Sequence, residues 1–230
     1  MTNKIEVEDN SVYYLLKRGN PEHIKALREN GQIFIRSISS IRNLDDNEQR
    51  TDKYDGIVDR KYNSHSILTI ASRPEDLANN GITINVNRSI LVHDYEFKGN
   101  IYCMTGIFSD DLKKENDLVF DTKSFGEDII VIYNPKLFIE RVMTALEKKG
   151  YENVKHDQVQ YYEDKYSGPV GNFRKHEKFI SQNEFRIFVP NIGCENITIN
   201  IGSIEDISFI KKEGVLTFTR PNKTFLNIYY

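Results

Sequence analysis

The sequence has no tryptophan, and only two of its 230 residues are cysteines, Cys103 and Cys194. A pair so far apart indicates neither a disulfide framework nor a zinc knuckle. No stretch approaches the ~18 apolar residues of a membrane span, and the polar start MTNKIEVEDN lacks the apolar core of a signal peptide. We therefore expect a cytoplasmic protein with no membrane segment, whose residues 1–10 form a flexible N-terminus.

A strong charge of either sign is also missing. The formal net charge is −3, so no overall basic field attracts nucleic acid, and we predict no general DNA binding. One local basic cluster is expected to bind phosphate-bearing ligands, and it consists of Arg174, Lys175, His176 and Lys178.

Several motifs of catalysis and metal binding are absent as well. The sequence has no glycine-rich phosphate loop and no H-E-x-x-H motif. Its histidines are scattered without ligand spacing, at His23, His65, His93, His156 and His176. An acidic run lacks the central glycine of a calcium loop, and its members are Asp45, Asp46, Glu48, Asp52 and Asp55. We interpret that run as a solvated face and expect no metal cofactor.

The composition and the order of predicted elements indicate one domain over residues 11–230. Apolar residues make up 39% of the chain and charged residues 28%, which is ordinary for a globular protein. Asn20-Pro21 and Asn134-Pro135 are typical helix starts, and Gly31 and Gly150 are typical helix ends. We predict an α+β fold with strand-rich mixed sheets and two main helices, near 21–30 and 135–149.

Short runs of β-branched and aromatic residues predict the strands. They lie at 11–18, 32–38, 66–70, 82–86, 89–92, 97–108, 129–133, 154–162, 197–201, 207–210, 215–219 and 225–230. A brief helix is expected at 73–80. The polar stretch 39–63 is predicted to be an ordered surface loop, because it is too charged for a core.

The stretch 173–190, FRKHEKFISQNEFRIFVP, contains the main candidate functional residues. From Gln182 the residues alternate, so that Phe185, Ile187 and Val189 point to the core and Glu184 and Arg186 point the other way. A carboxylate inside a strongly β-forming run is unfavourable unless it is solvated, paired or used. One interpretation is a plain ion pair between Glu184 and Arg186 on an exposed strand face.

Several segments resemble a family of uncharacterised bacterial and phage proteins, with similarity from about Val12 to Gly202. These segments are VYYLLKRG, IKALRENGQIFIRSIS, RNLDDNEQRTDKYDG, NIYCMTGIF and KFISQNEFRI. More distantly, the order of elements is similar to the ADP-ribosyltransferase-like fold. That superfamily uses NAD and carries its catalytic glutamate in a Glu/Gln-x-Glu motif at the start of a late strand.

The resemblance implies roles for particular residues. Glu184 matches the catalytic glutamate, and Gln182 matches the residue two positions earlier, which orients the acceptor. Arg36, or alternatively Arg18, matches the arginine that holds the NAD phosphates. Thr105 stands in for the Ser-Thr-Ser element that stiffens the NAD pocket. The aromatic residues suited to stacking on nicotinamide or adenine are Tyr13, Tyr14 and Phe188.

Two other functions fit the sequence. One is a non-enzymatic binding protein of phage or mobile-element origin that captures a host protein or a nucleotide. The other is a metal-dependent nuclease that uses Glu184-x-Arg186 in place of Glu-x-Lys; the missing lysine and the absence of a nearby partner aspartate make it the weakest interpretation.

Overall fold

The computed structural model describes residues 11–42, 52, 54–94, 98–193, 195–212, 215–219 and 224–230. In chain order the strands are β1 (Val12–Gly19), β2 (Gln32–Ser37), β3 (Asp59–Ile70), β4 (Ile82–His93), β5 (Gly99–Phe108), β6 (Leu118–Val119), β7 (Asp128–Ile132), β8 (Lys155–Gln158), β9 (Gln160–Tyr162), β10 (Gly168–Pro169), β11 (Arg174–His176), β12 (Glu184–Pro190), β13 (Ile197–Asn200), β14 (Ser208–Lys211), β15 (Val215–Thr219) and β16 (Phe225–Tyr229). The α-helices are α1 (Pro21–Asn30), α2 (Ile38–Arg42), α3 (Ser109–Lys113) and α4 (Pro135–Lys148), and 3-10 turns cover Pro74–Asp76, Lys123–Phe125, Glu177–Gln182 and Glu205–Ile207.

The α+β class with two main helices, α1 and α4, is confirmed. Among the described residues, none of the helices is long and apolar enough to cross a membrane. Gly31 ends α1 in the left-handed region at φ 64°. A Cβ atom there would lie 2.0 Å from the carbonyl oxygen of Gly202, so both the backbone and the available space require glycine.

The main sheet has eight strands in the described part of the chain. Its central path runs β13-β2-β5-β1-β7-β14, and β12 pairs with β5 on one side and β8 on the other. The recorded pairings in this sheet are antiparallel. A smaller sheet in the order β15-β16-β6 combines one antiparallel and one parallel pairing, which is the mixed character that the sequence predicts.

The main sheet divides beside β5. The strand β12 pairs along β5 from Gly99 to Thr105. The opposite edge of β5 is shared, because β1 pairs with its end at 105–108 and β2 with its start at 100–101. The strands β1 and β2 therefore diverge from a common neighbour, and the division lies beside residues 102–104 of β5.

Each face of the main sheet carries its own layer. The helices α1 and α4 cover one face, where Leu146 and Phe138 of α4 contact a large apolar cluster that includes Phe185, Ile187 and Val189. The opposite face, called the second face below, carries an apolar cluster formed with β6 and β16 and a smaller one around Ile101 and Phe188. As predicted, the alternating apolar side of β12 lies on the helices.

The stretch 39–63 differs from its prediction. Asp52, Asp55 and Ile57 are buried and β3 begins at Asp59, so the described part of this stretch is not a surface loop. Asp52 and Asp55 also do not lie on a solvated face. The other three members of the acidic run, Asp45, Asp46 and Glu48, lie outside the described residues.

Some predicted elements have other bounds. The separate strands predicted at 66–70, 82–86 and 89–92 are one long hairpin of β3 and β4, which continues through Arg88 although its φ is 64°. The strand predicted at 154–162 is two strands, β8 and β9. The brief helix predicted at 73–80 is a single 3-10 turn over Pro74–Asp76.

Candidate functional site

The start of β12 carries a buried group of charged side chains, which we call the ionic cluster: Asp55, Lys175, Gln182, Glu184 and Arg186. Glu184 and Arg186 project from the second face, but their exposed fractions are only 3% and 0%. The predicted ion pair between Glu184 and Arg186 is therefore present. The prediction that it lies on an exposed strand face is wrong, because both residues are buried. The residues around Asp55 and the strand β11 contribute the charges that cover β12.

Both oxygens of the Glu184 carboxylate are occupied. Oε1 accepts a hydrogen bond from Nε of Arg186 at 2.7 Å, and Oε2 accepts one from Nζ of Lys175 at 3.1 Å. The Cys103 thiol also contacts this carboxylate. Lys175 donates in addition to the side-chain oxygen of Gln182 at 2.9 Å. Glu184 is thus held by neighbours on β12, β11 and β5.

Arg186 lies between two carboxylates. Besides its bond to Glu184, its guanidinium forms a bidentate salt bridge with Asp55. The distances are 2.7 Å from Nη1 to Oδ1 and 3.2 Å from Nη2 to Oδ2. Nη1 also donates to the carbonyl oxygen of Asn172 at 2.6 Å. Such planar, charge-assisted pairs are the strongest that arginine makes. The side chain of Arg186 therefore connects β12 to the segment that carries Asp55.

The electrostatics of the cluster favour ionised groups. Burial opposes the charge on Glu184, but Arg186 and Lys175 outweigh it and hold the pKa of the carboxyl below its ordinary value. Burial likewise disfavours the Lys175 ammonium, yet Glu184 and Asp55 raise its pKa overall. Burial, with Glu184 close by, raises the pKa of the Cys103 thiol to about 12. The thiol is protonated at neutral pH, so Cys103 is not an activated nucleophile.

Of the other residues that the resemblance implies, Thr105 lies closest to the cluster. It is buried and faces Glu184 directly across the β5–β12 pair. Arg36 pairs with Ile101 in the same sheet, and partners in an antiparallel register share a face. Since Ile101 faces Phe188 of β12, Arg36 belongs to the second face with Glu184. It is exposed, and its guanidinium lies 5.9 Å from the ring centre of Phe34.

Two of the predicted residues lie away from the cluster. Tyr14 is half-buried and packs edge-on against Phe218 at 4.9 Å between ring centres. Arg18 is buried, and it donates to the carbonyl oxygens of Gly126 and Tyr230 at 3.0 Å each. Both side chains are therefore engaged in packing or capping the layer formed by the C-terminal strands.

Sequence reasoning missed Lys17, which lies where β1 diverges from β5. Its Nζ donates to the carbonyl oxygen of Cys103 at 2.6 Å and lies 4.7 Å from the ring centre of Tyr102. Burial lowers the pKa of this amine, and Arg36 adds to the effect, whereas Cys103 and Glu184 oppose it. A lysine directly after the apolar run VYYLL, within the predicted strand, was the available signal.

The basic cluster predicted at 174–178 is divided by the structure. Lys175 points inward, while Arg174 donates to the carbonyl oxygen of Pro169 at 2.8 Å. His176 contacts Asp164 at 2.7 Å. Lys178 lies 4.8 Å from the ring centre of Phe179. The four cationic residues therefore do not converge on one surface point.

The structure brings an aspartate to the Glu184-x-Arg186 motif, which the sequence did not predict and which a metal-dependent nuclease would need. Asp55 lies within reach of Arg186, and Lys175 lies beside Glu184. However, Arg186 stands between the two carboxylates and neutralises both. Within the described ranges, no three His, Cys, Asp or Glu side chains are grouped so that they could hold a metal ion.

No family model, curated protein or solved structure matches the chain. The geometry of the site is therefore the basis for assigning a function.

Proposed function

We propose that the protein is an NAD-dependent ADP-ribosyltransferase that works on the second face of its main sheet. The observation that carries the proposal is the register of β5 with its neighbours. It sets Thr105 directly opposite Glu184 and puts Arg36 on the same face, four residues further along β5. Four residues of strand span about 13 Å, and the two inter-strand spacings from β12 to β2 add about 10 Å across the sheet, so the backbones of Glu184 and Arg36 lie roughly 16 Å apart. The long Arg36 side chain must extend toward Glu184 for the two residues to hold the ribose and the pyrophosphate of one ligand.

Each residue then has a chemical role. Cleavage of the bond between C1′ of the ribose and N1 of nicotinamide passes through an oxocarbenium-like state, which the Glu184 carboxylate stabilises. Nicotinamide leaves with the bonding electrons, and an acceptor placed by Gln182 attacks C1′. Arg36 binds the pyrophosphate, because its planar fork matches two oxygens at once. Lys17 pairs with Ile130, so its side chain starts on the helix-covered face, and it has no part in this mechanism.

The occupied carboxylate sets a condition on this mechanism. Arg186 fixes Oε1, so Oε2 is the oxygen that must meet the substrate. Because Glu184 is only 3% exposed, a ribose hydroxyl reaches Oε2 when the side chains that cover it, Lys175 among them, move aside. The depressed pKa of Glu184 keeps the carboxylate ionised throughout, as the stabilising role requires.

The test measures NAD binding by calorimetry and transfer of labelled NAD into cell lysate. Glu184→Gln should lower transfer by about 10²–10³-fold and change NAD affinity little, because it removes an interaction made in the transition state. Arg36→Ala should weaken NAD binding instead. Arg28→Ala, which alters a partly exposed arginine paired with Glu205 near the end of α1, is the matched control and should change neither. Folded wild-type protein that neither binds NAD nor transfers label would exclude the enzyme.

The second candidate is a binding protein without catalysis. The burial of Glu184 favours this candidate. A carboxylate that is 3% exposed and has both oxygens hydrogen-bonded is suited to stabilising the fold. In that case Glu184→Gln should lower the free energy of unfolding while the protein shows no response to NAD. Because loss of a buried ion-pair partner lowers stability in either case, NAD calorimetry and the transfer assay are the measurements that separate the two candidates.

A further inference from the structure

A long β-hairpin extends away from the sheets. We call residues 61–91 of β3, β4 and their connecting turn the arm. Among the described residues, β10 pairs with β3 only at Asp59 and Arg60, so beyond that point the described arm is a ribbon of two strands. It carries eight of the large apolar side chains that are exposed in the described residues: Ile67, Leu68, Ile70, Leu77, Ile82, Ile84, Ile90 and Leu91.

The arm has two different faces. Cross-strand partners share a face, and Leu68 pairs with Ile84 while Ile70 pairs with Ile82. These four side chains are 45–69% exposed. On the opposite face Thr69 pairs with Thr83, so that face is more polar.

The strands of the arm also carry little charge: Lys61 and Arg88 are their only charged residues, and Arg73, Glu75 and Asp76 lie in the turn. Charged residues make up 28% of the whole chain, yet 62–72 and 77–87 contain no Asp, Glu, Lys or Arg. Natural sheets protect exposed edges with charges, prolines or bulges. A two-stranded ribbon is at best marginally stable alone in water and needs a further strand or a packed layer. The arm is therefore built to be covered by another surface.

A matching surface exists elsewhere on the molecule. In the small sheet β15-β16-β6, Leu226 and Ile228 face the core, and the outer side carries Val119, Phe225 and Tyr229, which are 41–70% exposed. Val119 and Tyr229 are direct partners across β6 and β16. The strands β15 and β16 contain no charged residue. This outer side, called the receiving face, is thus a second uncharged apolar β-surface.

We propose that the protein forms a symmetric dimer in which the arm of each copy packs its aliphatic face on the receiving face of the other. Sheet-on-sheet packing of uncharged apolar faces needs no desolvation of charge. The arm is about 40 Å long and about 10 Å wide, so one arm face offers roughly 400 Å². The receiving face is smaller, because its strands have at most five residues and the sheet spans about 17 Å by about 14 Å, so each contact is limited to about 240 Å². The two contacts therefore bury about 480 Å² on each copy, below the ~800 Å² of a standard interface, and we expect a weak dimer. A two-fold axis makes the two contacts equivalent.

The test is sedimentation of the full chain across a concentration series. Wild-type protein should dimerise, and Ile84→Lys should raise the dimer dissociation constant by about tenfold or more, since it places a charge in the contact. Asn85→Lys alters the adjacent residue, which is also exposed but lies on the other face, so it should leave the constant unchanged. Equal thermal unfolding of the two variants shows that the charge acts on association and not on folding.

Phe225→Lys examines the receiving face in the same way and should also weaken the dimer by about tenfold or more. A mixture of Ile84→Lys with Phe225→Lys should recover part of the dimer, because one arm and one receiving face remain intact in the mixed pair. Loss of the dimer in Ile84→Lys with no effect of Phe225→Lys would mean that arms pack on arms, and the proposal would be wrong. Wild-type protein that stays monomeric would also overturn it. If that monomer floats with phosphatidylcholine vesicles, the arm binds lipid instead.

Discussion

Asp55 and Arg186 are 131 positions apart in the chain, and they form one of the two best-shielded ion pairs in the described residues, with 4% and 0% side-chain exposure. The other pair is Glu184 with the same Arg186. Removing charges from water is unfavourable, and the pair offsets this only while both members are present. The contribution of each residue in the ionic cluster is therefore conditional on its neighbours.

Asp55→Ala tests this dependence. It leaves Arg186 with one carboxylate fewer in a buried site, and the loss should be about 3–5 kcal/mol in the free energy of unfolding. Glu205→Ala, which removes the partner of Arg28 from an exposed pair at 3.0 Å, is the control and should change it by at most about 1 kcal/mol. Urea unfolding monitored by circular dichroism measures both. Similar small losses would show that water reaches the cluster.

The pKa of Glu184 predicts a pH dependence. A carboxyl whose pKa is lowered by folding stabilises the protein fully above its ordinary value of 4.5, and loses this contribution as pH falls toward the folded value. Wild-type protein should therefore keep its stability advantage over Glu184→Gln down to about pH 4.5 and lose it progressively as the pH falls further. Glu147→Gln, an exposed site on α4, is the control for general effects of acid. A constant difference between wild type and Glu184→Gln across this range would contradict the assignment.

The sequence predicted the side chains of β12 well and their surroundings poorly. Alternation placed Glu184 and Arg186 on one face, because a strand has a period of two. Their burial depends on Asp55 and Lys175, which lie in charged stretches that composition assigns to the surface. No local sequence pattern predicts that the stretches carrying Asp55 and Lys175 fold over the same strand and neutralise each other's charge.

Among the elements, α4 shows what local signals determine. Asn134 accepts a hydrogen bond from the backbone N–H of Leu137 at 3.1 Å, and Pro135 occupies the first turn. Both features are visible in the sequence, so the bounds of the helix were predicted almost to the residue. The hairpin of β3 and β4 was predicted only in pieces, because polar residues within it resemble turns and its cross-strand pairing is not a local property.

Leu146→Ala tests the packing of α4. Leu146 is fully buried in the cluster between α4 and the main sheet, so truncation should lower the free energy of unfolding by about 2–5 kcal/mol. Glu147→Ala changes the next, exposed residue and controls for helix propensity. Chemical denaturation of the two variants measures the difference, and equal stabilities would place this helix face in solvent.

On the scale of the whole molecule, composition and the spacing of helices and strands were sufficient for the α+β class. The order of strands in the main sheet was not predictable, because it is set by which apolar faces meet after distant segments collapse. The division of the sheet at β5 follows from that order. The arm belongs to a separate sheet, whose cross-strand pairing is likewise not a local property of the sequence. The Lys17 site and the arm surface consequently became visible only in the structure.

The position of β5 has a consequence for biosynthesis. Its partners β1 and β12 lie far from it on either side in sequence, and pairings between distant segments form slowly because a long loop must close first. At about 5–20 residues per second, the ribosome needs several seconds to make the roughly eighty residues between Thr105 and Glu184. During that time the edge of an apolar strand has no partner from β12. Nascent chains stalled within this window are therefore the ones that most need chaperones.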